Sequence, residues 1–316
     1  MKAMILKQFG GIENFAVEEI PQPPIGEAEV LVEIKAIGID QIDVKTRQGK
    51  GMTDILKKEH PMILGWDISG IVTQTGSEVK NLKPGDAVFG TIHFPGPGSS
   101  YAEFAAAPAD QLALKPENLS HTEAAAATQS PLTAWQALIS TGHIREGDRV
   151  LIHGGAGGVG NYAIQIAKQT GCYVITTVSE ADRAFVKKLG ADEVINYQTQ
   201  QFEKEISDID FILDTIGGEN FVRSLKVLKP EGMIVLLPSN KKADADKAAK
   251  EHHIKNYKHI LMHSSGKDMQ VIAEMLRNGN MKVHVDKTYP FEQIPQAHEQ
   301  MEQGKIKGKI VINLDK

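Results

Sequence analysis

Residues 150–167 read VLIHGGAGGVGNYAIQIA. The run VLI is typical of a buried strand, and YAIQIA follows a helical pattern. Between them, Gly155, Gly157 and Gly160 fit the G-x-G-x-x-G spacing, in which glycines allow a tight turn, a close backbone approach to a pyrophosphate and close packing of helix on strand. The helix start offers free N–H groups and the positive end of its dipole. A plain glycine-rich loop is the alternative, but the strand–turn–helix context favours a dinucleotide-binding unit.

Composition narrows the class of protein. A chain of 316 residues suggests two domains or one elaborated domain. A formal net charge of −5 argues against non-specific binding to nucleic acid or to an anionic membrane. The sequence shows no apolar stretch near the length of about 20 residues that spans a bilayer. The N-terminal MKAMILKQFG alternates like a strand and lacks a signal-peptide pattern, so we expect a cytoplasmic protein.

The pattern of predicted secondary structure changes twice along the chain. Residues 1–126 read as short strands separated by Pro- and Gly-rich turns, which favours a barrel-like domain. Residues 127–264 alternate strands and helices, which predicts a doubly wound parallel sheet. Residues 265–316 end in the apolar run Lys309–Ile312, which we expect to return to the first domain as an edge strand. The sequence therefore predicts an α/β protein of two domains.

Three local predictions concern the second domain. Ser130 is expected to cap a helix that Pro131 opens and that continues to Leu138. A further strand is expected over residues 259–263. The Lys- and Ala-rich stretch 241–251 is expected to form a solvated surface helix.

The end of the second strand of this domain decides between NAD and NADP. A carboxylate there favours NAD through the ribose 2′-hydroxyl, whereas a basic residue admits the 2′-phosphate of NADP. The strand ends at Thr177 and Val178 without an acid, and Ser179 and Arg183 offer a hydroxyl and a guanidinium. Glu180 is the rival candidate, and an ordinary surface charge is the alternative for Arg183. The pattern favours NADP(H).

Motifs along nearly the whole chain resemble the medium-chain dehydrogenase/reductase superfamily, and within it the zinc-independent quinone oxidoreductases, the zeta-crystallin-like group. The motifs that carry the resemblance are Gly38–Asp43 with Arg47 and Gly49, Leu64–Gly70, Val79–Val88, Tyr101–Phe104, Leu132–Trp135, the glycine turn, Leu189–Asp192 with Val194–Tyr197, and Gly308–Val311. Together they are far more specific than the glycine pattern alone.

The resemblance implies a GroES-like first domain, a Rossmann second domain and a nicotinamide ring held between them. It implies that Thr133 reaches the nicotinamide end and that Gly157, Gly158 and Val159 cradle the pyrophosphate. It implies that the 2′-phosphate is surrounded by Ser179, Arg183 and Tyr197, with the strand residue Thr177 as a further cofactor contact. It also implies that Ile216 and Leu237 line the cofactor slot.

No metal site is predicted. The zinc-dependent relatives place a cysteine where Asp40 stands and a His-Glu pair near Trp66 and Asp67, and this chain carries neither. His259 and His263 would lie about 13 Å apart along a strand, too far to share a metal ion. The single cysteine, Cys172, excludes an internal disulfide and a Cys-rich zinc site, and is expected to be a small core residue.

Asp40 is the candidate catalytic residue. Members of the group commonly carry asparagine at its position. A carboxylate beside a nicotinamide would have a raised pKa and would donate the proton that follows hydride transfer. The alternative is a scaffold role, in which Asp40 bonds to the backbone or pairs with Lys45 or Arg47.

Three residues are predicted to shape the acceptor pocket: Gln41, which replaces an apolar residue of the group, Trp66 and His93. Core packing is the alternative for Trp66, which lies within an apolar run.

The predicted activity is transfer of hydride from NADPH, without zinc, to a small-molecule quinone or α,β-unsaturated carbonyl. Charge spreads over a conjugated acceptor, which therefore needs no Lewis acid. One alternative is a 2-enoyl thioester reductase, although the loop from Asp40 to Gly51 lacks the tyrosine expected as its proton donor. Another is a non-catalytic NADPH-binding sensor or structural protein. The family also suggests a homodimer through the edge of the Rossmann sheet, near residues 258–263.

Overall fold

A computed structural model describes residues 1–304 and 306–314. Its fold follows from the alternation of strands and helices that the sequence indicates. In residues 1–132 the elements are β1 Lys2–Leu6, β2 Phe15–Glu19, β3 Glu29–Ile39, α1 Gln41–Arg47, α2 Thr53–Leu56, β4 Asp67–Thr75, β5 Ala87–Thr91, β6 Phe104–Pro108, β7 Ala113–Leu114 and α3 His121–Ala126. Helix α4, Gln129–Trp135, follows and continues as a wider π-helical segment over Gln136–Thr141.

The next elements are β8 Arg149–His153, α5 Gly158–Gln169, β9 Tyr173–Val178, α6 Arg183–Lys188, β10 Glu193–Asn196, α7 Phe202–Glu205, β11 Ile209–Asp214, α8 Glu219–Ser224, β12 Leu228–Leu236, α9 Lys242–Glu251 and β13 Tyr257–His259. The C-terminal segment contributes α10 Gly266–Arg277, β14 Val285–Pro290, α11 Ile294–Glu302 and β15 Lys309–Asn313.

These elements form two compact units. The first unit joins Met1–Leu132 to the described part of His263–Lys316, and the second is Thr133–Met262. The predicted boundaries lay at 126/127 and 264/265.

No helix in the described residues is long and apolar enough to cross a bilayer.

The sheet of the first unit is organised around β3. Its strand order is β14-β15-β3-β4-β5-β7, with β6 also paired to β3, and every pairing except β14 with β15 is antiparallel. The C-terminal strand β15 returns to this unit as expected. It is not an edge strand, however, because β14 pairs with its outer side. The inner side of β15 pairs with β3, with Ile310 opposite Ile39.

The second unit is a doubly wound parallel sheet, as predicted. Its order is β10-β9-β8-β11-β12-β13, and every pairing is parallel. The chain runs outward from β8 in one direction and then restarts at β11 in the other. The topological switch point therefore lies between β8 and β11, where ligands bind in open α/β sheets.

Two local predictions were wrong. The helix near residue 130 begins at Gln129, and Pro131 is accommodated because the first turn of a helix needs no N–H from that residue. The Ser130 hydroxyl lies 3.4 Å from the Asp40 carboxylate instead of capping the helix. The last strand of the second unit covers Tyr257–His259 and not residues 259–263, because its partner β12 ends at Leu236.

Candidate functional site

The glycine turn joins β8 to α5 at the switch point. A Cβ on Gly155 would collide with Thr176, and one on Gly160 would collide with the Gly154 carbonyl, so these two glycines are required by packing. Gly157 differs, because its Cβ would meet only the Gly154 carbonyl oxygen, at 3.3 Å. The absence of a side chain at Gly157 thus leaves open space at the start of the 12-residue helix α5. That is the space a pyrophosphate needs beside a helix N-terminus.

A chain of hydrogen bonds fixes this turn. Ser224 Oγ donates to the Asn220 carbonyl at 2.7 Å, so it accepts from His153 Nε2 at 2.9 Å. His153 Nδ1 then accepts from Thr177 Oγ1 at 3.0 Å, and Thr177 Oγ1 lies 3.4 Å from the Gly154 amide. Burial lowers the pKa of His153 to about 4, so the ring is neutral and keeps this tautomer. Thr177, implied as a cofactor contact, is buried and anchors the turn.

The loop after β11 lies beside the glycine turn. Thr215 Oγ1 donates to the His153 carbonyl at 2.8 Å. Asp214 is fully buried, and its Oδ1 accepts from the amides of Ile216 and Gly217, both at 2.9 Å. This arrangement holds Ile216 outward with 54% of its surface exposed. Ile216 lies beside the turn, since a Cβ on Gly154 would be 3.6 Å from Ile216 Cδ1. Leu237 follows β12, and its amide donates to the Asp214 carbonyl at 3.0 Å.

The end of β9 carries the residues predicted around the 2′-phosphate. Ser179 Oγ donates to Asp182 at 2.7 Å. Arg183 Nε donates to both oxygens of Glu180, at 2.8 and 3.0 Å. Tyr197 follows the neighbouring strand β10 and is exposed. The structure brings the predicted residues to one edge, but the hydroxyl and the guanidinium already have acidic partners.

In the first unit, Asp40 lies in a buried charge cluster. Lys309 Nζ is 2.6 Å from Asp40 Oδ2 and 3.2 Å from Asp67 Oδ2. Lys309 and Asp67 are each 1% exposed. Asp67 Oδ1 also accepts from Thr91 Oγ1 at 2.8 Å and from the Gln129 amide at 3.2 Å. Asp40 therefore pairs with Lys309, and neither Lys45 nor Arg47, the two predicted partners, fills this role. Arg47 is instead bound to Glu302.

The raised pKa expected for Asp40 was wrong. Burial pushes the pKa of this carboxyl up, but the Lys309 ammonium and hydrogen bonds to the ionised form outweigh burial and lower it. Burial and the Asp40 charge instead raise the pKa of Asp43 well above its usual value. Asp43 Oδ2 accepts from the Asp40 amide at 2.6 Å, so these two residues form the capping box of α1.

The three residues predicted to shape the acceptor pocket lie in different environments. Trp66 is 1% exposed, donates from Nε1 to the Gly96 carbonyl at 2.6 Å and meets Phe94 edge-to-face, so it belongs to the core. The His93 ring Nε2 is 3.1 Å from the Ala106 carbonyl. Gln41 is exposed at the first turn of α1. The structure does not gather these side chains at one surface.

Thr133, predicted at the nicotinamide end, and Cys172, predicted as a core residue, are both buried. Thr133 lies in α4. Burial raises the pKa of the Cys172 thiol to about 11, which suits a core residue. Among the described residues, no group of three or more His, Cys, Asp or Glu side chains is arranged to hold a metal ion.

Sequence reasoning missed three residues of these sites: His153, Asp214 and Lys309. The signal for Lys309 was a lysine opening an otherwise apolar strand. His153 and Asp214 each end a buried strand of the parallel sheet, where ligand-binding edges form.

Comparisons with known proteins identify the family of this chain. Residues 26–117 match the alcohol dehydrogenase GroES-like domain, and residues 189–312 match the zinc-binding dehydrogenase family. The chain is 33% identical to the mitochondrial NAD(P)H oxidoreductase RTN4IP1 of Danio rerio, over 90% of this chain and 84% of that protein. It is also 33% identical to 2-methylene-furan-3-one reductase of Solanum lycopersicum, over 99% and 79% of the two chains.

A solved structure shows the same fold along the whole chain. The quinone oxidoreductase from Coxiella burnetii superposes with a TM-score of 0.94 at 35% identity, and the match covers 100% of this chain and 99% of that one. The resemblance drawn from the motifs is confirmed: this chain is an oxidoreductase that belongs to the quinone oxidoreductase-like group of the medium-chain dehydrogenase/reductase superfamily.

Proposed function

We propose that the protein reduces quinones or α,β-unsaturated carbonyls with NADPH and without a catalytic metal. One observation supports the proposal that no catalytic metal is used. The Lys309 ammonium lies against Asp40 and Asp67, the residues at the positions where the zinc-dependent relatives carry metal ligands. The Lys309 ammonium already pairs with Asp40, while burial and the Asp40 charge raise the pKa of Asp67 well above its usual value. Trp66, at the third of these positions, donates its ring N–H to the Gly96 carbonyl. This donor set does not suit zinc.

The second unit supplies the cofactor site. The space above Gly157 at the start of α5 receives the pyrophosphate of NADP(H), and Ile216 and Leu237 line the slot beside it. When bound, NADPH supplies the hydride. The protein contributes orientation and hydrogen bonds, which suffice for a conjugated acceptor because the developing charge spreads over its π system. The names of the relatives support this acceptor class, since they include a quinone oxidoreductase and a furanone reductase.

The direct test is acceptor-dependent oxidation of NADPH. A quinone or a 2-alkenal should be turned over, a saturated ketone should not, and EDTA should leave the rate unchanged. Tight binding of NADPH with no turnover of either acceptor class would instead indicate a sensor or structural protein.

The proton that completes the reduction comes from solvent, because the ion pair with Lys309 keeps Asp40 ionised. We therefore expect Asp40→Asn to change kcat by a constant factor from about pH 6 to about pH 9, where a carboxyl of lowered pKa does not titrate. An acid with a raised pKa would make kcat fall as pH rises through that pKa, and the variant would lack this fall. A decline in the wild-type pH profile that Asp40→Asn removes would restore the proton-donor role.

Two further expectations stay predictions. A homodimer would use the open edge of β13. The cytoplasmic location also stays a prediction, and the name of the zebrafish relative places that protein in mitochondria.

A further inference from the structure

The first unit holds two neighbouring lysines whose charges have no counter-ion. Lys45 lies in the last turn of α1, and Lys50 lies in the loop that follows this helix. Within residues 1–304 and 306–314, neither ammonium takes part in an ion pair or a hydrogen bond. The cation between them differs, because Arg47 is bound to Glu302. Two positive charges are therefore left for a partner from outside the described chain.

Lys45 is the less exposed of the two lysines. Its side chain is half-buried, whereas that of Lys50 is exposed. Burial and the Lys50 charge both disfavour the ammonium, and they lower the pKa of Lys45. A lysine commonly avoids such costs by extending its charged end into water. A half-buried cation beside a second cation is an arrangement that a bound anion would stabilise.

The loop after α1 brings Lys50 to Lys45 through its backbone. The Lys50 amide donates to the Lys45 carbonyl at 2.8 Å, and the Lys50 carbonyl accepts from the Thr53 amide at 3.2 Å. Gly49 and Gly51, on either side of Lys50, have φ values of 81° and 59°, in the left-handed region that glycine enters without strain. The backbone thus sets the two lysines close together despite their like charges.

The lysine pair lies on the helix that carries two candidate site residues. Asp40 is the N-cap of α1, and Gln41, the first residue of this helix, was predicted to shape the acceptor pocket. Lys45 follows Gln41 by four positions, so the two side chains lie on one face of the helix. Gln41 is exposed. A small molecule that contacts Gln41 therefore has the Lys45 ammonium one helical turn away.

We propose that Lys45 and Lys50 form a binding site for an anionic group carried by the acceptor, with a carboxylate as its simplest form, and that Lys45 is a specificity-determining residue. The proposal rests on the proposed function, because it names the class of quinone or enone that the protein prefers. The anion accepts from the Lys45 ammonium, and the exposed Lys50 adds attraction that salt screens.

The competing interpretation is that both lysines are ordinary surface residues. The apolar stem of Lys45 would then cover the helix while its charged end stays in water. The two interpretations differ in what loss of the Lys45 charge does to charged and neutral acceptors. A specificity determinant weakens the use of the anionic acceptor relative to the neutral one, and an ordinary surface lysine leaves their ratio unchanged.

The test compares 4-oxopent-2-enoate with its methyl ester, two enones that differ by one negative charge. For Lys45→Met we expect the ratio of kcat/KM for the acid to kcat/KM for the ester to fall at least about tenfold, the size of one charged hydrogen bond. Lys45→Arg retains the charge and should retain the ratio within about threefold. Lys50→Met should lower the ratio less than Lys45→Met does, because an exposed charge is screened by solvent.

Wild-type protein offers a second measurement that does not depend on the folding of a variant. Competitive acetylation followed by mass spectrometry reports the reactivity of each lysine. The saturated keto acid 4-oxopentanoate should slow the acetylation of Lys45 and not that of the exposed Lys80. If inorganic phosphate protects Lys45 and the keto acid does not, the site binds free anions only and the proposal is overturned.

Lys80→Met is the matched control for the kinetic test. Lys80 is an exposed lysine of the same unit and, like Lys45, has no partner among the described residues. The control removes the same charge and should leave the ratio unchanged. The inference is overturned if Lys45→Met lowers the ratio no more than Lys80→Met does. Failure of the proposed function looks different: the wild-type protein would then turn over neither the acid nor the ester, and that result would overturn both.

Discussion

Replacing Lys309 with methionine should lower the free energy of unfolding by about 3–5 kcal/mol, the loss typical of removing one partner from a buried ion pair. The ammonium is the counter-ion of both Asp40 and Asp67, and it is 1% exposed. Methionine retains most of the length of the side chain, so the lost free energy of unfolding is due to removal of the charge and not to a cavity. Chemical unfolding of the full chain measures the change.

The loss should also depend on pH. Burial and the Asp40 charge already raise the pKa of Asp67 well above its usual value, and without Lys309 the pKa of Asp40 rises as well in the folded state. A raised folded-state pKa favours the folded state at low pH, and this contribution disappears as pH rises through that pKa. The difference between Lys309→Met and wild type should therefore be smaller near pH 5 than near pH 8.

Lys287→Met is the control, because the Lys287 ammonium is exposed and bonds only to Gln300 among the contacts described for the first unit. It should change the free energy of unfolding by less than about 0.5 kcal/mol. Equal stability of the two variants would show that Lys309 is not the counter-ion described. In the Lys309→Met background, Asp40→Asn should recover part of the loss, because it removes the carboxylate that has lost its counter-ion.

Replacing Gly157 with alanine should weaken NADPH binding at least about tenfold while the free energy of unfolding changes by less than about 1 kcal/mol. Its backbone, with φ −73° and ψ 175°, is open to any residue, and the added Cβ meets only the Gly154 carbonyl oxygen at 3.3 Å. The methyl group therefore requires only a small shift of the Gly154 carbonyl, but it takes the space of the pyrophosphate. Titration with NADPH and thermal unfolding measure the two effects separately.

Gly160→Ala provides the contrast within the same turn. Its Cβ would collide with the Gly154 carbonyl, so this variant should lose about 1–3 kcal/mol of stability. Full NADPH affinity in Gly157→Ala would mean that the pyrophosphate does not lie against this glycine. A stability loss in Gly157→Ala equal to that of Gly160→Ala would mean that both glycines serve packing alone.

The elements that sequence predicted best are those with a strong local signal. The apolar run, the glycine turn and the helical pattern at residues 150–167 specify β8 and α5 because each depends on residues close in the chain. The parallel sheet followed from the alternation of strands and helices. The strand order β14-β15-β3 was not predictable in the same way, because β15 is removed from the edge of the sheet by a partner, β14, whose own sequence pattern is weak.

The buried charges were the hardest part of the site to predict. Asp40 stood out by its position in a motif, but its partner lies at the other end of the chain, and only the pairing of β15 with β3 brings Lys309 beside it. The sign of the pKa shift of Asp40 depends on that one contact. The hydrogen-bond chain through His153 likewise joins residues 24 and 71 positions away. Local sequence marks Lys309 as a lysine in an apolar strand and His153 as the end of a buried strand, but it does not give the partners of either residue.

Hydride transfer to a conjugated acceptor without a metal can be followed atom by atom with NADPH dideuterated at the nicotinamide C4, an enone, and protein treated with EDTA. We predict that mass spectrometry and NMR find deuterium on the β-carbon of a saturated ketone, at the same rate before and after chelation. Deuterium on the carbinol carbon of an allylic alcohol, with activity lost to EDTA and restored by zinc, would instead establish a metal-dependent alcohol dehydrogenase chemistry and refute the proposed reduction.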